Sequence, residues 1–379
     1  MQIINFNNFY SKISDLLSAY TKGKNWIFLI SLTGVFFSLF FACPPLDYFR
    51  LPGFRGLWKY VLIQIESPLS YHSYPAGSHM AKLAFRLTPP FFLKCLGLKT
   101  ILGCLAFQFL CLIVFFCLIS KLAYKISQDK MVTAFITLGF ALSPAGNSWA
   151  WDISGSFDML AFLLLTLALI SDRRPLIWLV TLLASYADER ALIASSFVFI
   201  WNFYRDSPGS TFHKFLSSRA ACVIYSWLTY FVVRIFLITH YGFRTDFRGT
   251  NLFLHLVNML PFGLWSGLKG FWILILTSLI LLYKKKRLIV FFAFLASTLI
   301  IITVSMSVGD ITRSMAYLFI AIFVSLKIIY DILPLEQIKK LVFTASLFCL
   351  FPTYFCDFRT SIYWILPFPL QLVRALLHK

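Results

Sequence analysis

Residues 101–120, ILGCLAFQFLCLIVFFCLIS, form an uninterrupted apolar run with one amide, Gln108, and no charge. About 20 such residues, rising 1.5 Å each, cross the roughly 30 Å hydrocarbon core of a bilayer as an α-helix. Hydrocarbon offers no hydrogen bonds to the backbone, so a spanning segment closes its own as a helix or shares them in a barrel. The run lacks the alternation of a barrel strand, which leaves the helix.

The rest of the chain repeats this pattern. Of 379 residues, 59% are hydrophobic and 13% charged, more apolar surface than a soluble domain can hide. Further runs lie near 26–43, 131–146, 154–171, 175–187, 191–204, 219–239, 265–283, 288–306, 314–330 and 341–356. With 101–120 they predict an all-α, polytopic integral membrane bundle of about eleven helices, ten to twelve depending on 361–376. One membrane-embedded domain over residues 1–379 is the expected organisation, with no internal repeat or separate soluble unit.

The net charge is +19, from 34 Lys and Arg against 15 Asp and Glu. In a soluble chain this would suggest a nucleic-acid partner. Here the basic residues fall in alternate short loops: Lys22 and Lys24, Lys121 to Lys130, Arg173 and Arg174, Lys214, Lys284 to Arg287, Lys339 and Lys340. The positive-inside rule and anionic headgroups account for them, so membrane lipids are the expected partners and nucleic acid is not. These loops and the N-terminus are then cytoplasmic, in a plasma membrane or a bacterial inner membrane. The 26–43 run reads as a retained first span and not a signal peptide. Eight scattered cysteines without a C-x-x-C pair read as membrane-core residues, so neither metal nor cofactor is expected from them.

The other face collects nine carboxylates: Asp47, Glu66, Asp152, Asp158, Asp188, Glu189, Asp246, Asp310 and Asp357. Residues 44–99 form its longest loop, in which 55–65 and 78–87 have the pattern of interfacial helices. Asp47, after Pro44-Pro45-Leu46, stands where a general base would meet an acceptor hydroxyl, or pairs with Arg50 or Arg55. Glu66, His72 and His79 belong to a stretch rich in groups that bind sugar hydroxyls. The histidines lack the spacing of a metal site.

Asp152 reads as a helix cap in the turn Trp149-Ala150-Trp151-Asp152, or as part of a site. Asp158, inside an apolar run, needs a basic partner, for which Arg190 and Arg234 are candidates. Asp188-Glu189-Arg190 makes a turn too tight for open water and is expected at membrane depth. Arg234 either snorkels or meets an anionic headgroup, and Arg313 either pairs with Asp310 or grips a phosphate with both guanidinium arms. Two outward arginines of this kind predict an elongated cavity open to lipid and to the outer aqueous face.

Taken in order, Asp47, the stretch Ser70-Tyr71-His72-Ser73-Tyr74-Pro75, Trp151-Asp152 to Asp158, Asp188-Glu189-Arg190 and Asp310 to Arg313 resemble the GT-C class of membrane glycosyltransferases. The likeness covers roughly residues 20–330 and is one of architecture. It departs from the class where Tyr48-Phe49-Arg50 follows Asp47, in place of a second nearby acid that would assist a metal. The resemblance implies transfer of a sugar from a polyprenyl-phosphate donor to a hydroxyl of a glycan, lipid or protein acceptor. Asp47 would be the base, and Glu66, His72, His79, Asp152, Asp158, Asp188, Glu189, Arg190, Arg234, Asp310 and Arg313 would bind substrate. Two other classes remain open. A polysaccharide polymerase or ligase draws on Arg244, Asp246 and Arg248, and a transporter or flippase draws on intramembrane charges such as Asp158 and Arg234.

Overall fold

A computed structural model describes residues 6–44, 57–70, 83–206, 215–216, 218–244, 257–308, 310–356 and 362–377. These residues are almost wholly helical. Their only sheet is one antiparallel pair, Tyr354–Cys356 with Ile362–Trp364. Five segments are long and apolar enough to cross a membrane: Ile101–Ser127, Arg219–Tyr241, Leu260–Lys284, Leu288–Met306 and Ile311–Tyr330. Leu102, Leu228, Val232, Ile235, Ile289 and Phe292 on three of them are more than half exposed. So much outward hydrocarbon is stable only against lipid, and the chain is an α-helical membrane protein.

The other apolar helices are shorter: Trp26–Phe41, Lys130–Ala141, Asp158–Ile170, Arg174–Ala187 and Phe368–Leu377. Twelve residues at 130–141 rise only about 18 Å, so eleven full-length spans are not what the described residues provide. The expected 131–146 and 154–171 runs shorten because residues 142–157 fold into turns and the one-turn helix Trp149–Asp152. The 341–356 run is overturned at its end, where the helix Leu335–Phe348 gives way to a strand. In the 44–99 loop, helices cover Trp58–Glu66 and Thr88–Cys95. The second lies beyond the 78–87 stretch expected to be helical, because Thr88-Pro89-Pro90 places prolines in a first turn that needs no N–H donor.

Small hydroxyls and glycines draw the helices together, as they do where lipid removes the hydrophobic drive to associate. Ser31 donates to Ser120 at 2.9 Å, and Ser120 and Thr137 share a bond of 2.9 Å, linking three helices. A Cβ on Gly263 or Gly267 would lie 2.5 or 2.6 Å from Ile311 or Met315, so the helix Leu260–Leu268 packs backbone-close on Ile311–Met315. Two of the long segments are interrupted by 3-10 turns, at Lys269–Phe271 and Ala316–Leu318. Lys269 there donates to Leu142 O at 2.8 Å and Thr353 Oγ1 at 3.0 Å, setting an ammonium on the carbonyl end of the 130–141 helix. The Ile311–Tyr330 segment is the centre of the bundle, with 89% of its most apolar stretch buried.

Candidate functional site

Asp158 is the first residue of the 158–170 helix and is fully buried. A carboxylate there must be compensated by a counterion and by donors, and both are present. Arg190 Nη2 donates to Oδ1 at 2.9 Å, Tyr317 OH to the same oxygen at 3.1 Å, and Arg313 Nε to Oδ2 at 2.8 Å. Arg190 also reaches Asp188 through Nε at 2.7 Å and Nη2 at 2.8 Å, and Ser314 Oγ through Nη1 at 3.2 Å. Its guanidinium lies 5.1 Å from the Tyr317 ring centroid. Arg313 Nη1 holds Asp310 at 2.8 Å.

The chain supplies these groups from helix ends. Asp188 ends the Arg174–Ala187 helix, Glu189 and Arg190 begin the next, and Asp310 precedes Ile311–Met315. Tertiary packing thus turns residues more than 100 positions apart into one network. Arg86 joins it from the first loop, 3.0 Å from Asp188 and on both oxygens of Glu189 at 3.2 and 3.3 Å. Arg86 and Tyr317 were not among the sequence candidates. Arg86 was legible only as part of an interfacial stretch, and Tyr317 only as the hydroxyl in an apolar run.

Asp152 adjoins the network without joining its ion pairs. Its carboxylate accepts Ser156 Oγ at 3.0 Å and the backbone N–H groups of Asp158 and Met159 at 3.1 and 2.9 Å, capping the 158–170 helix. Burial, then the neighbouring Asp158 carboxylate, push its pKa up to about 7, against the pull of those N–H groups and Arg313.

Of the candidate site residues, Asp152, Asp158, Asp188, Glu189, Arg190, Asp310 and Arg313 come together. Arg234 does not take the expected place beside Asp158. Its Nη1 donates to Tyr230 OH at 2.7 Å, and its guanidinium lies 3.9 Å from the Phe85 ring centroid. It has no carboxylate in ion-pair reach among the described residues. Glu66 ends the 58–66 helix with its side chain exposed, and its carbonyl accepts from Lys94 Nζ at 2.9 Å. Asp47, His72 and His79 lie outside the described residues.

Two cavities against the network among the described residues are small, about 10 Å³ each beside Arg190 and beside Arg86, room for about one water apiece. The expected elongated cavity is therefore not outlined by the described residues. Most of the arginine donors are spent on carboxylates; Arg190 Nη1 goes to Ser314 Oγ, and among the described residues Arg313 Nη2 is buried without a partner. Among the described residues no group of three His, Cys, Asp or Glu is arranged to hold a metal ion. No protein-family model, curated protein or solved structure matches the chain.

Proposed function

We propose that the chain is a membrane glycosyltransferase of GT-C type, moving a sugar from a lipid-phosphate donor to an acceptor hydroxyl on the extracytoplasmic side. In this reading about eleven helical segments traverse the membrane, the lysine-rich loops and N-terminus are cytoplasmic, and the arginine–carboxylate network faces out. The observation that carries it is Arg234, a half-buried guanidinium without a carboxylate partner among the described residues, on a helix whose neighbouring side chains Phe231, Val232 and Ile235 are exposed. Such a group suits the phosphate of a lipid standing in the bilayer, whereas Arg313 is already committed to Asp158 and Asp310.

The acceptor hydroxyl loses its proton to Asp47 and its oxygen attacks the anomeric carbon. The bond from that carbon to the phosphate oxygen breaks, and the lipid phosphate leaves with the electron pair beside Arg234. The network of Arg86, Asp158, Asp188, Glu189, Arg190, Asp310 and Arg313 fixes the helix ends that frame this space. In proteoliposomes with a radiolabelled polyprenyl-phosphate sugar, Asp47→Asn should lower transfer by about 100-fold while the protein still accumulates. Arg234→Gln should weaken donor use at subsaturating donor. Unchanged transfer in Asp47→Asn would remove that residue from the mechanism, and no transfer by the parent chain with any lipid donor would remove the reaction.

The interruptions at Lys269–Phe271 and Ala316–Leu318 favour one alternative, a transporter or flippase, because broken helices frame substrate paths in that class. Movement of a lipid-linked sugar between leaflets without transfer would select it.

A further inference from the structure

A large cavity beside the described helices shares no lining residue with the arginine network. The N-terminal helix Phe6–Tyr20 presents Phe9, Ile13, Leu16, Leu17 and Tyr20 along one side. It leans on the bundle through Tyr10, whose ring lies 5.2 Å from Phe343 and 6.4 Å from Phe135, centroid to centroid. Between this helix and the helices Trp26–Phe41, Lys130–Ala141 and Leu335–Phe348 it leaves a groove of about 710 Å³.

Ile13, Leu16, Ile30, Phe37, Leu138 and Leu347 are among its walls. The few polar atoms at its edge are spent internally. Tyr20 OH and Thr33 Oγ1 bond each other at 2.8 Å, and Ser346 Oγ donates to Phe135 O at 2.8 Å. What remains to meet an occupant is hydrocarbon, in which water is not stable and a sugar would find no partner. From Phe135 to Leu142 the groove follows the 130–141 helix for about 10 Å, a shape suited to a linear chain.

Tyr20, which lines the groove, leads directly into a lysine-bearing turn. Lys12 on the N-terminal helix, and Lys22 and Lys24 in the turn after Tyr20, are all exposed. Asp15 is the only acid between Phe6 and Trp26, and no ion pair among the described residues involves these lysines. An apolar slot whose wall helix carries Lys12, and whose lining residue Tyr20 is followed closely by Lys22 and Lys24, complements a molecule with a long hydrocarbon tail and an anionic head.

We infer that this groove is a binding site for one acyl chain of an anionic phospholipid, whose headgroup is held by Lys12, Lys22 and Lys24. The N-terminal helix is thereby fastened to the bundle through a lipid as well as through Tyr10. The site does not depend on the sugar-transfer reading, and its test does not use activity.

The full chain would be equilibrated with vesicles of equal phosphatidylglycerol and phosphatidylcholine, extracted, and weighed with its bound lipid by native mass spectrometry. The expected result is one retained phosphatidylglycerol, favoured over phosphatidylcholine by about tenfold or more, since each lysine near an anionic surface contributes severalfold. Lys12→Gln, Lys22→Gln and Lys24→Gln together should bring that preference close to unity. Ala19→Trp, from an exposed position on the groove wall, should fill the slot and abolish retention of either lipid. Equal retention of the two lipids by the parent chain overturns the proposal, and that measurement stands even if Ala19→Trp does not fold. Retention that survives Ala19→Trp overturns it too. So does displacement of phosphatidylglycerol by a polyprenyl phosphate, or a dimer that closes the groove with a second copy.

Discussion

The two ends of the 158–170 helix carry the same chemistry in opposite solvents. At its start, fully buried Asp158 receives Arg190, Arg313 and Tyr317 at 2.8 to 3.1 Å. Just past its end, Asp172 meets Lys125, Arg205 and Arg219 at 3.0 Å each, with a side chain 61% exposed. Both groups suit the helix field, the first as an anion at the positive end and the second through the cations it gathers at the negative end. They differ in what the alternative to pairing is. The exposed Asp172 carboxylate can exchange a partner for bulk water, while the fully buried Asp158 carboxylate cannot.

The sharpest way to break this contrast is Asp158→Ala. It leaves Arg190 and Arg313 facing each other, with Asp188 and Asp310 as their remaining carboxylates. Removing one member of a buried ionic set costs about 3–5 kcal/mol, so we expect a large fall in Tm in detergent and poor accumulation. A loss below about 1 kcal/mol would mean that water reaches the network. Tyr317→Phe is the graded version. It deletes one donor to Asp158 and keeps the ring against Arg190, so the cost should be about 1.5–3 kcal/mol.

How much of this was legible follows the range of each signal. Helix type and the 288–306 boundaries could be read locally, because hydrophobic length alone decides them. The partner of Asp158 could be half read: an acid in an apolar run demands a cation, and Arg190 was named. Arg313, 155 positions away, reads in the sequence as a partner of Asp310 or of a phosphate, and it holds both Asp158 and Asp310. Arg234 was offered to Asp158 because it too sits inside a span, yet Tyr230 and Phe85 take it. An aromatic face and a tyrosine hydroxyl can hold a guanidinium in place of a carboxylate, and no spacing rule distinguishes the two. The 131–146 and 154–171 runs overreach because they take in Ser143-Pro144-Ala145-Gly146 and Ser154-Gly155-Ser156, turn residues at which the helices 130–141 and 158–170 stop and start.

The pH response should separate the two ends. Asp152, beside the buried network, is pushed up to about 7, so the folded protein holds its proton more tightly than the unfolded chain. Its contribution is complete below the unfolded value near 4 and fades as pH rises through about 7. Asp172 is shifted the other way, first by the hydrogen bond from Lys125, and its contribution fades only as pH falls below the ordinary aspartate range. Acidifying from about pH 8 to about pH 5 should therefore raise Tm through Asp152, and Asp152→Asn should flatten that slope. A slope that persists in Asp152→Asn would assign it to another group.

The smallest expected effect belongs to Asp172 itself. Asp172→Asn removes a carboxylate shared by three cations, which counting pairs would rate as heavily as the loss of Asp158. Yet Arg219 keeps its close pair with Asp206, and Lys125 keeps Ile170 O at 3.1 Å. Arg205, the cation nearest to losing a partner, sits 5.8 Å from the Trp201 ring centroid and 3.9 Å from Asp206. With water as the fourth partner, the cost should be about 0–1 kcal/mol and should shrink further as salt screens the remaining charges. Thermal unfolding of this variant at low and high salt, set beside Asp158→Ala in the same detergent, measures the difference directly. A cost of about 3 kcal/mol, unchanged by salt, would show Asp172 to be sealed from water and the two ends of the helix to be energetically alike.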